Sequence, residues 1–308
     1  MIIKPFIMYN KIVMNIKDIS GQELLKKLEN NEISVLKCLG ADGLRKEMAP
    51  AGLLCKSFAD LICATSDDSS LRKRAINVMR PLAPTKQTRQ FPRCEDAVVV
   101  GFNHPSLGEI FRLVAICMDV YSDKEFLFPV NLPWYENMVT IIPKLKRMGI
   151  TIVPLITPST EAKLSKINEN NEAKLSEIHH AKVVFERNYM RVARSMAEKK
   201  GVILVAPSAT RQATVFSENN HPTMTLLAHI ILKNKDTKVM FLPVAILEPR
   251  RNDRRFNPFK FYGIRPCKPF FTEEVREISS HGREFDYEFL KRIDEVYSRV
   301  KYYRNNLK

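Results

Sequence analysis

Apolar residues along this chain follow two rhythms. Short unbroken runs, several rich in β-branched side chains, occur at Val98 to Phe102, Phe126 to Val130, Ile150 to Ile156, Val202 to Ala206 and Lys238 to Leu247. Such runs read as strands buried on both faces. Between them the apolar positions recur every three or four residues, as in Ile110, Leu113, Val114, Cys117 and Tyr121, and again in Phe185, Tyr189, Val192 and Met196. That spacing predicts helices. Further helices are expected over Trp134 to Met148, with Gly149 as its cap, over Thr223 to Lys233, and along the stripe Phe285, Phe289, Ile293, Val296 and Val300. Pro158 opens a polar helical region with a break at Asn168 to Asn171, and Phe259 to Arg265 reads as one more strand. Alternation of this kind predicts an α/β fold, a mixed sheet covered by helices.

The N-terminal third lacks the strand rhythm. Ser20-Gly-Gln-Glu23 is a capping-box pattern, Leu24, Leu25 and Leu28 continue it as a helix, and Leu53, Leu54, Phe58, Leu61 and Ile62 give a later apolar face. Pro81 to Pro84 and the polar stretch Thr85 to Arg93 read as a connector. The expected organisation is a small helical N-terminal subdomain, residues 1–90, before an α/β catalytic domain, residues 91–308. Residues 1–17 carry three lysines and no acid among apolar residues. They suit an interfacial anchor or an import presequence, although an ordinary packed or frayed terminus is the preferred reading.

Candidate chemistry sits where a strand gives way to a helix. The run Val98 to Phe102 stops at Asn103-His104-Pro105-Ser106, and Glu109 falls in the first turn of the helix that follows. Such corners are exposed while their flanking elements are rigid. A histidine with a carboxylate five positions on can serve as a general base and its orienter, with no serine between them, which suits activation of a substrate's own hydroxyl. A loop histidine hydrogen-bonded for structure is the plain alternative. A second strand ends at Pro207-Ser208-Ala209-Thr210-Arg211, where two hydroxyls and a guanidinium can hold phosphate oxygens.

Taken together these stretches resemble the glycerolipid acyltransferase family, which includes glycerol-3-phosphate and lysophosphatidate acyltransferases. Four blocks appear in the family's order. His104 to Glu109 stands for His-x4-Asp, and Gly149 to Leu155 for a Gly-led strand that ends in arginine, here Leu155. Pro207 to Arg211 stands for Pro-Glu-Gly-Thr-Arg, and Phe241 to Ile246 for an apolar strand with a central proline. The resemblance spans residues 96–264. It implies O-acyl transfer from an acyl thioester, acyl-CoA or acyl carrier protein, to glycerol-3-phosphate or a lysophospholipid. His104 and Glu109 would be the catalytic pair, Asn103, Ser208, Thr210 and Arg211 the acceptor contacts, and no metal or redox cofactor would be needed. A catalytically silent relative that binds lipid or carrier is the alternative motivated by Leu155.

Composition narrows the partners. Forty-nine Lys and Arg against 34 Asp and Glu give a formal charge of +15, which calls for an anionic partner. Arg250, Arg251, Arg254 and Arg255, flanked by Phe256 and Phe259, suit an anionic membrane surface or an acyl carrier protein. A nucleic-acid-binding protein is the other reading of this charge, ranked last because no recognised motif supports it and no specific nucleic acid is expected. Six scattered cysteines suggest reduced thiols, and adjacent His179 and His180 point apart on a helix and make a poor chelate. There is no Gly-x-Gly-x-x-Gly or Walker loop, and every apolar run is too short to span a bilayer, so a cytoplasmic protein, free or peripheral on a membrane, is expected.

Overall fold

The computed structural model describes residues 15–47, 57, 60, 71–103, 109–207, 223–247, 263–279 and 284–306. Three short N-terminal helices come first, α1 (Gly21–Glu29), α2 (Val35–Cys38) and α3 (Gly43–Glu47), followed by α4 (Leu71–Met79) and α5 (Thr85–Thr88). The chain then alternates: β1 (Ala97–Phe102), α6 (Glu109–Val120), β2 (Phe126–Asn131), α7 (Leu132–Met138), α8 (Ile142–Arg147), β3 (Ile150–Leu155), α9 (Pro158–Ile167), α10 (Glu172–Glu198), β4 (Val202–Val205), α11 (Thr223–Leu232) and β5 (Val239–Leu247). It closes with β6 (Gly263–Pro266), β7 (Phe270–Phe271), α12 (Thr272–Ser279) and α13 (Glu284–Asn306).

The strands form one sheet in the order β3-β2-β4-β1-β5-β6, with β7 also on β5. The first five are mutually parallel, and β6 and β7 add to β5 antiparallel. Period-two alternation sends Val98, Val100 and Phe102 of β1 to one face with Leu113, Ile116 and Cys117 of α6. Ala97 and Val99 go to the other face with Tyr189 and Ala193 of α10 and Met224 and Leu227 of α11. Both faces are therefore covered, as the uninterrupted apolar strands require.

Which helix covers which face follows from the connections. From β1 the chain crosses by α6 to β2 and then moves outward to β3, whereas from β3 it returns through α10 to β4 and through α11 to β5 on the opposite face. Right-handed crossovers dictate this change of face when the direction of travel reverses. Adjacent strands β4 and β1 thus lead to helices on opposite faces, and their carboxyl ends form a topological switch point, the place where open α/β sheets hold ligands.

Glycine permits two close approaches. Gly149 ends α8 at φ +77°, and its amide bonds the Lys146 carbonyl at 3.0 Å, the left-handed cap expected of it. At Gly101 a β-carbon would clash with the edge of the Phe289 ring, meeting Cε1 and lying 2.5 Å from Cζ, so the bare backbone lets α13 lie on β1. Phe285 and Phe289 pack there with Phe241 and Phe270 in an aromatic cluster.

The N-terminal helices lie on the rest of the chain. Leu24, Leu28, Val35 and Leu36 share an apolar cluster with Tyr135, Ile156, Leu164 and Phe185. The Ser20 hydroxyl accepts from the Glu23 amide at 3.2 Å, as its capping pattern predicts. Buried Glu136 of α7 accepts from the Ser34 hydroxyl and from the Leu36 amide, capping α2 from outside.

Two elements differ from the expectation. Trp134 to Met148 is two helices with a turn at 139–141, because Pro143 lacks the amide an interior turn needs and sits instead at the start of α8. The connector over 81–93 contains a 3-10 turn, Arg80–Leu82, and α5. Leu53, Leu54, Phe58, Leu61, Ile62 and residues 1–14 lie outside the described residues.

Gly149→Ala tests the local geometry. Left-handed backbone costs an L-residue about 1–2 kcal/mol, and the new methyl group would meet the Arg72 guanidinium at 2.7 Å. Urea denaturation is expected to show a loss of at least that size; an unchanged midpoint contradicts the capping geometry.

Candidate functional site

The parallel register brings the expected site segments to one edge of the sheet. Phe102 of β1 lies beside Val244 of β5, and Gly101 beside Val205 of β4, so β1 and β4 finish together and β5 runs three residues further, to Leu247. Segments 104–108, 208–222 and 248–262 leave from that edge. His104, Ser208, Thr210, Arg211, Arg250, Arg251, Arg254 and Arg255 themselves lie outside the described residues. Glu109 begins α6, so its backbone is at the same edge.

The described residues that bracket these segments are held by specific bonds. Asn103 is fully buried. Its Nδ2 donates to the Ile246 carbonyl at 2.9 Å, and its Oδ1 accepts from the Ile246 amide at 2.6 Å. The side-chain amide therefore continues the ladder between β1 and β5 after the β1 backbone has turned away, satisfying a buried peptide that would otherwise lack a partner on that side. The strand can stop at Asn103 while β5 runs on to Leu247. This fixes the point from which His104 departs. Asn103 was expected among the acceptor contacts; the role its bonds support is support of the turn.

Segment 208–222 is closed at its base, where the Thr223 hydroxyl donates to the Pro207 carbonyl at 3.3 Å. The amides of Met224 and Thr225, two of the donors left over at the start of α11, bond the buried Asp286 carboxylate at 2.8 Å each. A carboxylate from α13 thus caps a helix about sixty residues earlier in the chain. Segment 248–262 is likewise closed, since Leu247 and Gly263 are antiparallel partners.

Where the family resemblance puts an arginine, Leu155 ends β3 beside Asn131 of β2 and packs among apolar residues against the α10 side. Asn131 Nδ2 donates to Thr160 Oγ1 at 2.7 Å, and Thr157 Oγ1 donates to Thr160 Oγ1 at 3.3 Å. Asn131 Oδ1 is buried without a hydrogen-bond partner. Such an atom can accept from a hydroxyl brought to this edge. One turn into α6, Arg112 is 5% exposed, and burial lowers its pKa below the usual guanidinium value.

Other expected features fall away from this edge. His179 is exposed and His180 half-buried, with its Nε2 lacking a partner, and no cluster of His, Cys, Asp or Glu suited to a metal occurs among the described residues. Cys38, Cys94, Cys117 and Cys267 are free thiols, and burial pushes Cys267 up to about 12. No helix among the described residues is long and apolar enough to cross a membrane.

Asn103→Ala should leave the Ile246 amide and carbonyl unpaired toward β1. A loss of about 1–3 kcal/mol in chemical denaturation is expected, with faster hydrogen exchange at the Ile246 amide. An exchange rate at Ile246 equal to that of the parent would show that the side chain does not carry this part of the ladder.

No protein-family model matches the chain, and no curated protein does. Among solved structures it is similar to the crystal structure of the 1-acyl-sn-glycerophosphate (LPA) acyltransferase PlsC from Thermotoga maritima, with 13% identity over 84% of this chain and 94% of that one and a TM-score of 0.44.

Proposed function

We propose that this protein transfers an acyl group from a thioester, on coenzyme A or an acyl carrier protein, to the hydroxyl of glycerol-3-phosphate or a lysophospholipid. The observation that carries the reading is the adjacency of β1 and β4. The His104–Glu109 block and the Ser208–Arg211 block follow neighbouring parallel strands whose connections part to opposite faces. Crevices at such switch points are where α/β proteins hold ligands.

In this reaction the His104 imidazole takes the acceptor's hydroxyl proton as its oxygen attacks the thioester carbonyl. A carbon–oxygen bond forms, the carbonyl electrons move onto oxygen, and collapse of that oxyanion breaks the carbon–sulfur bond. The departing thiolate takes the proton back from the imidazolium. Glu109 holds the imidazole tautomer and stabilises its charged form. Ser208, Thr210 and Arg211 bind the acceptor's phosphate, the guanidinium through paired hydrogen bonds. With Leu155 in the second block, that cation carries more of the phosphate's charge than it would beside a second arginine. The reaction requires no metal or redox group, only the thioester as cosubstrate. The Arg250 to Arg255 cluster faces an anionic membrane surface or the carrier.

The test is release of free thiol from palmitoyl-CoA by the full chain, offered glycerol-3-phosphate, lysophosphatidate and lysophospholipids in turn. Burial raises the thiol pKa values of Cys117 and Cys267, which keeps their contribution to the signal low. Acceptor-dependent release is expected, with a fall of about 10²–10⁴-fold in kcat for His104→Ala. Arg211→Ala should chiefly raise KM for the phosphorylated acceptor. Absence of release with every acceptor, while the acyl donor still binds, would leave the catalytically silent reading that Leu155 motivates.

A further inference from the structure

Helix α6 carries one buried residue that its apolar rhythm does not predict. Leu113, Ile116 and Cys117 are fully buried against the sheet, and Arg112, four residues before Ile116, lies on the same side with only 5% of its surface exposed. It is the fourth residue of the helix, where a cation opposes the positive end of the backbone dipole. A guanidinium kept from water in such a place needs an anion beside it. The helical elements packed most closely on α6 are α4, the Arg80–Leu82 turn and α5, which carry Arg72, Lys73, Arg74, Arg80 and Lys86 and no acid. Among the strands the one charged residue is Arg265 of β6, another cation, which donates to Gln90. Helix α6 itself has two carboxylates. Asp119 is two turns away and pairs with Arg80 at 3.5 Å, whereas Glu109 stands three residues before Arg112.

We propose that Arg112 is a positioning residue of the acyl-transfer site, its guanidinium holding the Glu109 carboxylate in the orientation that serves His104; the proposal rests on the acyl-transfer reading. Residues three apart on a helix are neighbours, with β-carbons about 5–6 Å apart. Long helical side chains lean toward the start of the helix, so Arg112 reaches back over the turn that Glu109 opens. That turn lies at the carboxyl edge of the sheet, where the chain leaves Asn103 for His104. Glutamate has one more rotatable bond than the aspartate of the block it stands for, so its carboxylate is less fixed by its own backbone. A guanidinium takes a carboxylate through paired planar bonds, which fixes that group from one side and leaves lone pairs on the other for the imidazole. The cation also keeps Glu109 ionised, as its role beside an imidazolium requires. Segments 208–222 and 248–262 leave from the same edge with three further carboxylates, Glu218, Glu248 and Asp253, which the test separates from Glu109.

Urea denaturation of the full chain tests the pair independently of activity. Arg112→Met keeps a long side chain on the buried stripe without its charge; it should lower the midpoint of the parent and shift that of Glu109→Gln by less than half as much. Arg112→Gln, a polar second variant, should show the same coupling. Additive shifts overturn the proposal, as does coupling of Arg112 to Glu218→Gln, Glu248→Gln or Asp253→Asn in place of Glu109→Gln. In the thiol-release assay Arg112→Met should lower kcat at least about tenfold, with KM for donor and acceptor within about twofold, and Arg112→Lys should recover most of the loss. Removing a positive charge makes the imidazole easier to protonate. The acid limb of kcat/KM should therefore move to higher pH by about one unit in Arg112→Met, and stay in place in Arg112→Lys and in Lys86→Ala, an exposed-cation control. An unmoved acid limb overturns the proposal, and so does a raised KM for glycerol-3-phosphate with kcat unchanged, which would make Arg112 an acceptor contact. Coupling in a chain that transfers no acyl group keeps the ion pair and removes the reaction; additivity in a chain that does transfer one does the opposite.

Discussion

The constraint on which this architecture depends is the ladder between β1 and its two parallel neighbours. Val98 to Gly101 pair with β4, and Ala97 to Phe102 pair with β5. Because a crossover keeps one hand, the chain leaves β1 on one side of the sheet and β4 on the other. No side chain need be invoked for the switch point between them. It follows from strand order, and the polar segments of the sequence happen to begin there.

Local chemistry then fixes where each segment begins. Asn103 replaces a peptide group in the ladder, so that the backbone departs at a defined residue without leaving Ile246 unpaired. Asp286 caps α11, and Gly101 admits Phe289, so α13 both covers the sheet and holds the far end of segment 208–222. These contacts join residues far apart in sequence, and each involves a buried group. Loss of any one exposes a buried donor, acceptor or void, which is why the edge is built by the whole fold.

Much of the fold was legible because the central strands are buried on both faces and so carry unbroken apolar runs; β1 to β5 all fall where those runs are. The turn within Trp134 to Met148 was also written in the chain, since Pro143 cannot occupy a helix interior, but the continuous apolar pattern outweighed it. β7 has only two residues, too few to show a period. At the site, sequence order suggested the blocks and the structure supplies the adjacency of the strands that precede them. The bonds of Asn103 could not be read in advance, because its partner is 143 residues away. Asp286 was hidden for the same reason, looking like one more charge on an amphipathic helix.

A crystal structure of the full chain with a non-hydrolysable acyl thioether analogue of the donor tests the central claim most directly. The account predicts the reacting carbon between the segments that follow β1 and β4, within hydrogen-bonding reach of His104. Density for the analogue at the opposite edge of the sheet, or on the outer surface of the α10 to α13 layer, would contradict it.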